Sequence, residues 1–243
     1  MLVQRAEPEL PRMSTPIVLV PGLNCTAECY AGQIPALWQF GSVLIADHKR
    51  GSTMAGIAAA ILADAPARFA LVGFSMGGYI GFEMLRQAPE RITRLALIDT
   101  MARPDTPEQA RKRSDSIRLA EQGKHLQLVT QNFPNGVHPD HAERFDLREI
   151  NLRMARQNGS DVYIRQQQAI LARPDSRPDL AGIRVPTTIV VGEADTVTPV
   201  DASQEMAAVI PNAELVVISG AGHMSPTEQP HAVAQALVGW IFG

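Results

Sequence analysis

The segment Gly73-Phe74-Ser75-Met76-Gly77-Gly78 sets a serine between two glycines in a G-x-S-x-G pattern. A serine hydroxyl is a poor nucleophile until a base takes its proton, so the chain must also supply that base and a group to orient it. Six histidines are available. His223 closes the stretch Ser219-Gly220-Ala221-Gly222-His223, whose glycines permit tight placement of a side chain on a loop. His48, His125, His138, His141 and His231 stand in settings with no such loop. An imidazole base needs a carboxylate on its second ring nitrogen, to fix the tautomer and to balance the imidazolium. Asp195, in Gly192-Glu193-Ala194-Asp195, fits that role, with Glu193 read as a loop or surface group. Asp99 is the competing acid, because it too follows an apolar run. Together these residues point to acyl transfer: the serine attacks a carbonyl, and water later clears the acyl group.

Six short apolar runs are spaced to position these groups. They are Ile17–Val20, closed by Pro21-Gly22; Val43–Ala46, ending at Asp47; Phe69–Val72, ending at Gly73; Leu95–Ile98, ending at Asp99; Thr188–Val191; and Leu215–Ile218. Continuous apolar runs of this length read as strands buried on both faces. Helical patterns over 54–63, 76–88, 200–210 and 231–242 alternate with them, and Pro89 stops the second. The expected fold class is therefore α/β, with a mostly parallel sheet of about six strands covered on both sides. The Val43 run is expected at one edge. About a dozen residues precede Ile17, too few for an additional hairpin. G-x-S-x-G alone is a weak signal, but here it lies between a strand and a helix, the setting of a nucleophile elbow.

Between Pro104 and Pro178 the strand rhythm stops. Thr106 as N-cap, Pro107 in the first turn and Gly123 past the end bracket one helix, and Gly159-Ser160 separates two later ones. Residues 103–177 carry 13 Lys/Arg against 10 Asp/Glu, whereas the remainder carries 9 against 15. The chain thus divides into a core, 1–103 with 179–243, and a helical cap, 104–178, inserted after the fourth strand. The cap is expected to select substrates and to contribute nothing to the chemical step, with Phe133, Leu152 and Tyr163 facing the pocket. Its arginines read either as a solvated cationic face or as a preference for acidic substrates.

Val18–Gly22, Asp47–Gly51, Gly73–Gly78, Gly192–Asp195 and Gly220–His223, in the order Ser75…Asp195…His223, make the chain resemble the α/β-hydrolase superfamily, in its small serine esterase and lactonase-like branch. The resemblance implies an oxyanion hole built from the backbone N–H groups of Leu23 and Met76. It also suggests Asn24, Phe74 and Met224 as substrate contacts, although Asn24 reads equally well as a turn residue. Two positions depart from the usual pattern: Pro21-Gly22 stands where His-Gly is common, and Phe74 precedes the serine. A serine at 75 argues against the epoxide- and halide-cleaving relatives, which use aspartate. The implied activity is cofactor-independent hydrolysis of a small carboxylic ester or lactone. Thioesterase, carbon–carbon hydrolase and perhydrolase chemistry remain open, as does a ligand receptor with vestigial turnover.

Composition bounds the rest. With 243 residues, the chain is long enough for one large domain without disulfide or metal support. A net charge of −3 gives no reason to expect nucleic acid. Cys25 and Cys29 are read as free thiols and no metal site is expected, because no further ligands lie nearby in sequence. No apolar stretch suits a membrane span or a leader, so a cytoplasmic location is expected, with a small-molecule ester or lactone as partner.

Overall fold

All six apolar runs become strands of one parallel sheet in the computed structural model, which describes residues 15–242. They are β1 (Ile17–Val20), β2 (Val43–Ile45), β3 (Phe69–Phe74), β4 (Ile92–Ile98), β5 (Thr187–Gly192) and β6 (Ala213–Ile218). The strand order is β2-β1-β3-β4-β5-β6, with the Val43 strand at an edge as expected. The expectation that no hairpin precedes Ile17 lies outside the described residues. β4 starts at Ile92 rather than Leu95, because half-buried Thr93 and Arg94 continue the strand under a polar disguise. The Arg94 guanidinium donates to the Trp240 carbonyl at 2.9 Å.

Alternate residues of each strand point to opposite faces. Val18, Val20 and Leu71 pack with Met54, Ile57, Ile80, Met84 and Met206, from α2 (Met54–Asp64), α3 (Met76–Gln87) and α7 (Val200–Val209). Ile17, Leu19, Ala70 and Val72 pack on the other face with Leu37, Val233, Leu237 and Trp240. Those partners come from a short helix that the sequence reading missed, which we number α1 (Ile34–Leu37), and from the C-terminal helix α8 (Pro230–Phe242). The strand order reverses between β1 and β3, since the chain leaves β1 for the outer strand β2 and returns to the other side. Loops that leave adjacent strands at such a switch point diverge and open a crevice. Here they are the loop after Val20 and the turn at Ser75.

Among the described residues, no strand lies between β4 and β5. That stretch holds α4 (Pro107–Glu121), α5 (His125–Asn132) and α6 (Phe145–Leu171). Thr106 caps α4 through a reciprocal pair with Gln109, and the chain leaves that helix through Gly123 at φ +78°. Gly159, also at φ +78°, breaks α6 where the sequence predicted a separation. The insert is fastened by buried charge. Asp105 accepts from Arg113 Nε at 2.9 Å and Arg173 Nη1 at 2.8 Å, and the Arg173 guanidinium lies 4.4 Å from the Tyr79 ring centre. These two arginines are therefore internal fastenings rather than part of a solvated face. Cys25 and Cys29 are both unbridged and buried. No helix among the described residues is long and apolar enough to cross a membrane.

Candidate active site

Ser75 occupies the sharp turn between β3 and α3, with φ 52° and ψ −114°. That backbone is costly for a residue with a side chain, about 1–3 kcal/mol, and its surroundings hold it in place. Its N–H donates to the Ile98 carbonyl at 2.8 Å, and its carbonyl accepts from Gly78 N and from the Thr100 hydroxyl, each at 2.8 Å. Glycine at 73 and 77 is required by proximity. A Cβ on Gly77 would stand 2.0 Å from the Val20 carbonyl oxygen, and one on Gly73 2.5 Å from the Gly77 carbonyl oxygen. Gly78 faces Thr100 just as closely. Although Ser75 stands at the N-cap of α3, its side chain makes no capping bond. Its hydroxyl instead lies 2.9 Å from His223 Nε2.

His223 Nδ1 faces Asp195 Oδ2 at 2.8 Å. A carboxylate accepts here, so Nδ1 carries the proton and Nε2 is left to accept from the serine hydroxyl. Asp195 is held in turn: Oδ1 accepts from the N–H groups of Val197 and Thr198 at 2.8 and 2.9 Å, and Oδ2 accepts from the Thr198 hydroxyl at 2.7 Å. Burial alone would lower the His223 pKa, but the charge and hydrogen bond of Asp195 more than offset it and push it up to about 9. For Asp195, burial works upward, yet the His223 charge and the bonds from His223 and Thr198 bring it below the ordinary carboxylate value.

The competing acid does a different job. Asp99 is fully buried and touches no histidine. Its Oδ1 accepts from Gly192 N at 2.9 Å, and its Oδ2 accepts from the Ser225 hydroxyl at 2.6 Å and Ser225 N at 3.2 Å. Burial first, then the Asp195 charge, hold its pKa well above the usual range. The two buried carboxylates are thus shifted in opposite directions, and Asp195 is the one that faces the histidine. Glu228, which the sequence reading passed over, brackets His223. Its Oε1 accepts from the N–H groups on either side of His223, Gly222 at 2.9 Å and Met224 at 3.2 Å. Its Oε2 accepts from His138 N at 2.6 Å and pairs with His141 Nδ1 at 2.9 Å, tying the insert to the His223 loop. Thr100 carries no motif signal because topology sets its partner, whereas Thr198 and Glu228 bond residues three to six positions away through turns that no motif marks.

The serine opens into a cavity of about 890 Å³ shared by core and insert. Leu23, Asn24, Phe74, Tyr79 and Met224 line it from the core side, and Phe133 and Tyr163 from the insert. Leu152 does not line it. It packs against Val129 and Ala155, because that face of α6 meets α5. Asn24 is both a turn residue, at φ +61°, and a wall of the cavity. Among the described residues, the N–H groups of Leu23 and Met76 have no protein acceptor. Met76 N–H is at the N-terminus of α3, where unpaired donors and the helix dipole favour an anion. No group of three or more His, Cys, Asp or Glu among the described residues could hold a metal ion. The arrangement can polarise a hydroxyl for attack on a bound electrophile, beside two N–H groups that have no acceptor among the described residues.

Residues 65–230 match the family described as alpha/beta hydrolase fold. A protein of Serratia proteamaculans, provisionally named carbamate hydrolase, is 27% identical over 93% of this chain and 90% of its own. A thermophilic esterase from Thermogutta terrifontis superposes with TM-score 0.84 at 27% identity, over 95% of this chain and 90% of that one. An enol-lactonase from Burkholderia xenovorans does so with TM-score 0.84 at 26% identity, over 95% of this chain and 92% of that one.

Proposed function

The chain belongs to the alpha/beta hydrolase family, and from that premise we propose that it is a cofactor-independent serine hydrolase that cleaves a small carboxylic ester or lactone. One observation carries the reading: an unbroken path from Ser75 Oγ through His223 to Asp195, at 2.9 and 2.8 Å, facing a cavity large enough for a small substrate. Ser75 Oγ attacks the carbonyl carbon as His223 Nε2 takes its proton. The carbonyl oxygen becomes an oxyanion and accepts from Leu23 N–H and Met76 N–H. When the tetrahedral intermediate collapses, His223 returns the proton to the departing alcohol oxygen and leaves an acyl group on Ser75. Water, deprotonated by the same imidazole, then releases the acid. Residues 104–178 act as a cap that keeps bulk water from this sequence and shapes the acyl pocket, with Phe133 and Tyr163 on its wall. Asn24, Phe74 and Met224 contact the substrate.

Support for the ester and lactone reading comes from an esterase and an enol-lactonase that share nearly the whole fold. A second reading, cleavage of a carbamate, rests on the name of the Serratia relative. The deciding experiment is a panel of nitrophenyl esters, aliphatic lactones, thioesters and nitrophenyl carbamates, followed in the pre-steady state. A burst of nitrophenol from esters, with lactone turnover and slow carbamates, supports the first reading. Burst and turnover confined to carbamates would establish the second. Binding of panel members without turnover of any would replace both with a receptor role.

A further inference from the structure

His48 is buried, lies outside the Ser75–His223–Asp195 path, and has no part in the chemistry described so far. Its Nε2 lies 3.0 Å from the Gly22 carbonyl oxygen. A carbonyl can only accept, so this nitrogen carries the proton and donates. Burial holds the imidazole neutral, its pKa lowered to about 4.

The bonded carbonyl belongs to the peptide that joins Gly22 to Leu23. No cis peptide occurs among the described residues, and in a planar trans peptide the C=O and the N–H point in opposite directions. Whatever fixes the Gly22 carbonyl therefore also aims the Leu23 N–H. Two donors fix it: His48 Nε2, and Cys25 N at 3.1 Å, which closes a tight turn through Asn24 at φ +61°. The rest of the segment is pinned by other buried side chains. Tyr30 donates its hydroxyl to the Val20 carbonyl at 2.9 Å, Gln166 Oε1 accepts Asn24 N–H at 2.9 Å, and Asn158 Nδ2 donates to the Cys25 carbonyl at 3.0 Å. Gln166 Nε2 also reaches the His48 carbonyl, at 3.4 Å. These bonds hold the loop on both sides of Leu23, a residue that lines the cavity and whose own N–H has no acceptor among the described residues.

We propose that His48 is a positioning residue of the oxyanion hole: by holding the Gly22 carbonyl, it aims the Leu23 N–H at the oxygen that becomes negative. Gln166, from the cap, locks His48 and the loop together, so the cap supports the chemical step through this contact. The inference rests on the serine hydrolase reading. Wild-type turnover and Ser75 labelling are therefore measured first, and their absence would count against that reading alone.

The test compares His48→Phe, which keeps bulk and loses the donor, with His48→Gln, whose amide nitrogen can reach the Nε2 position. Loss of a whole oxyanion donor costs about 10²–10³ in kcat, and a misaimed donor should cost about ten- to a hundredfold. His48→Phe should lower kcat by that factor with little change in KM. It should weaken a trifluoromethyl ketone, whose hemiketal oxyanion needs the same donor, by a similar factor. His48→Gln should restore most of both. If His48→Phe does not fold, His48→Gln against His48→Asn carries the test, because the shorter amide reaches only the Nδ1 position and should behave as donor-less. Folded variants with wild-type kcat and ketone affinity, or with losses in KM alone, would overturn the proposal.

Discussion

At Ser75 the backbone is strained, the hydroxyl does not cap its helix, and three hydrogen bonds hold the turn. A side chain this constrained has one evident partner, His223 Nε2. Ser75→Ala should lower kcat by about 10⁴–10⁶, since members of such a unit fail together. The acids separate next. Asp195→Asn should cost about 10⁴ in kcat by leaving the imidazole in the wrong tautomer, whereas Asp99→Asn, whose native carboxyl touches no imidazole, should cost far less. A larger loss in a folded Asp99→Asn protein would reverse the assignment. The pH profile follows from the same pair. A base works in its neutral form, which dominates above its pKa, and Asp195 lifts that of His223 to about 9. The kcat/KM of the free enzyme should therefore rise with pH and reach its midpoint above that of an ordinary imidazole. In Asp195→Asn the residual activity should show this limb moved toward acid, as the carboxylate charge that raised it is gone.

At the scale of elements, two loops and one insert share the site. The His223 loop is held by Glu228, whose Oε1 accepts from the N–H groups before and after His223. Glu228→Gln keeps the size but offers a weaker, uncharged acceptor. We expect a loss of about ten- to a hundredfold in kcat, on the scale of misplaced catalytic groups, with KM nearly unchanged. An equal change in both, with the fold intact by circular dichroism, would mean that Glu228 merely supports the cap. In the insert, Phe133→Ala and Tyr163→Ala should change the ratio of kcat/KM between short and long acyl esters while sparing fluorophosphonate labelling of Ser75. Loss of labelling in these folded variants would contradict a selective role. The sequence reading found α4 and the break at Gly159, because capping and positive φ leave local marks. It misplaced Leu152, because helical periodicity cannot tell which buried face meets the cavity and which meets α5. His48 and Thr100 had no legible role, because their partners Gly22 and Ser75 lie on separate loops that meet only once the sheet order is known, and Thr198 and Glu228 hold nearby residues through turn geometry that composition does not mark.

For the whole molecule, the six apolar runs were legible as strands and their parallel order followed, because alternation with helices leaves few other ways to bury both faces. That topology puts the loop after β1 beside the turn after β3, and so the Leu23 N–H near Ser75, from stretches about fifty residues apart. This junction should make Ser75 a covalent nucleophile. The most direct test is intact-mass analysis of enzyme quenched by acid during turnover of a nitrophenyl ester, followed by peptide mapping. One added acyl group per chain is expected, located on Ser75 and missing in Ser75→Ala. An acyl group on another residue, or turnover that survives Ser75→Ala undiminished, would contradict it.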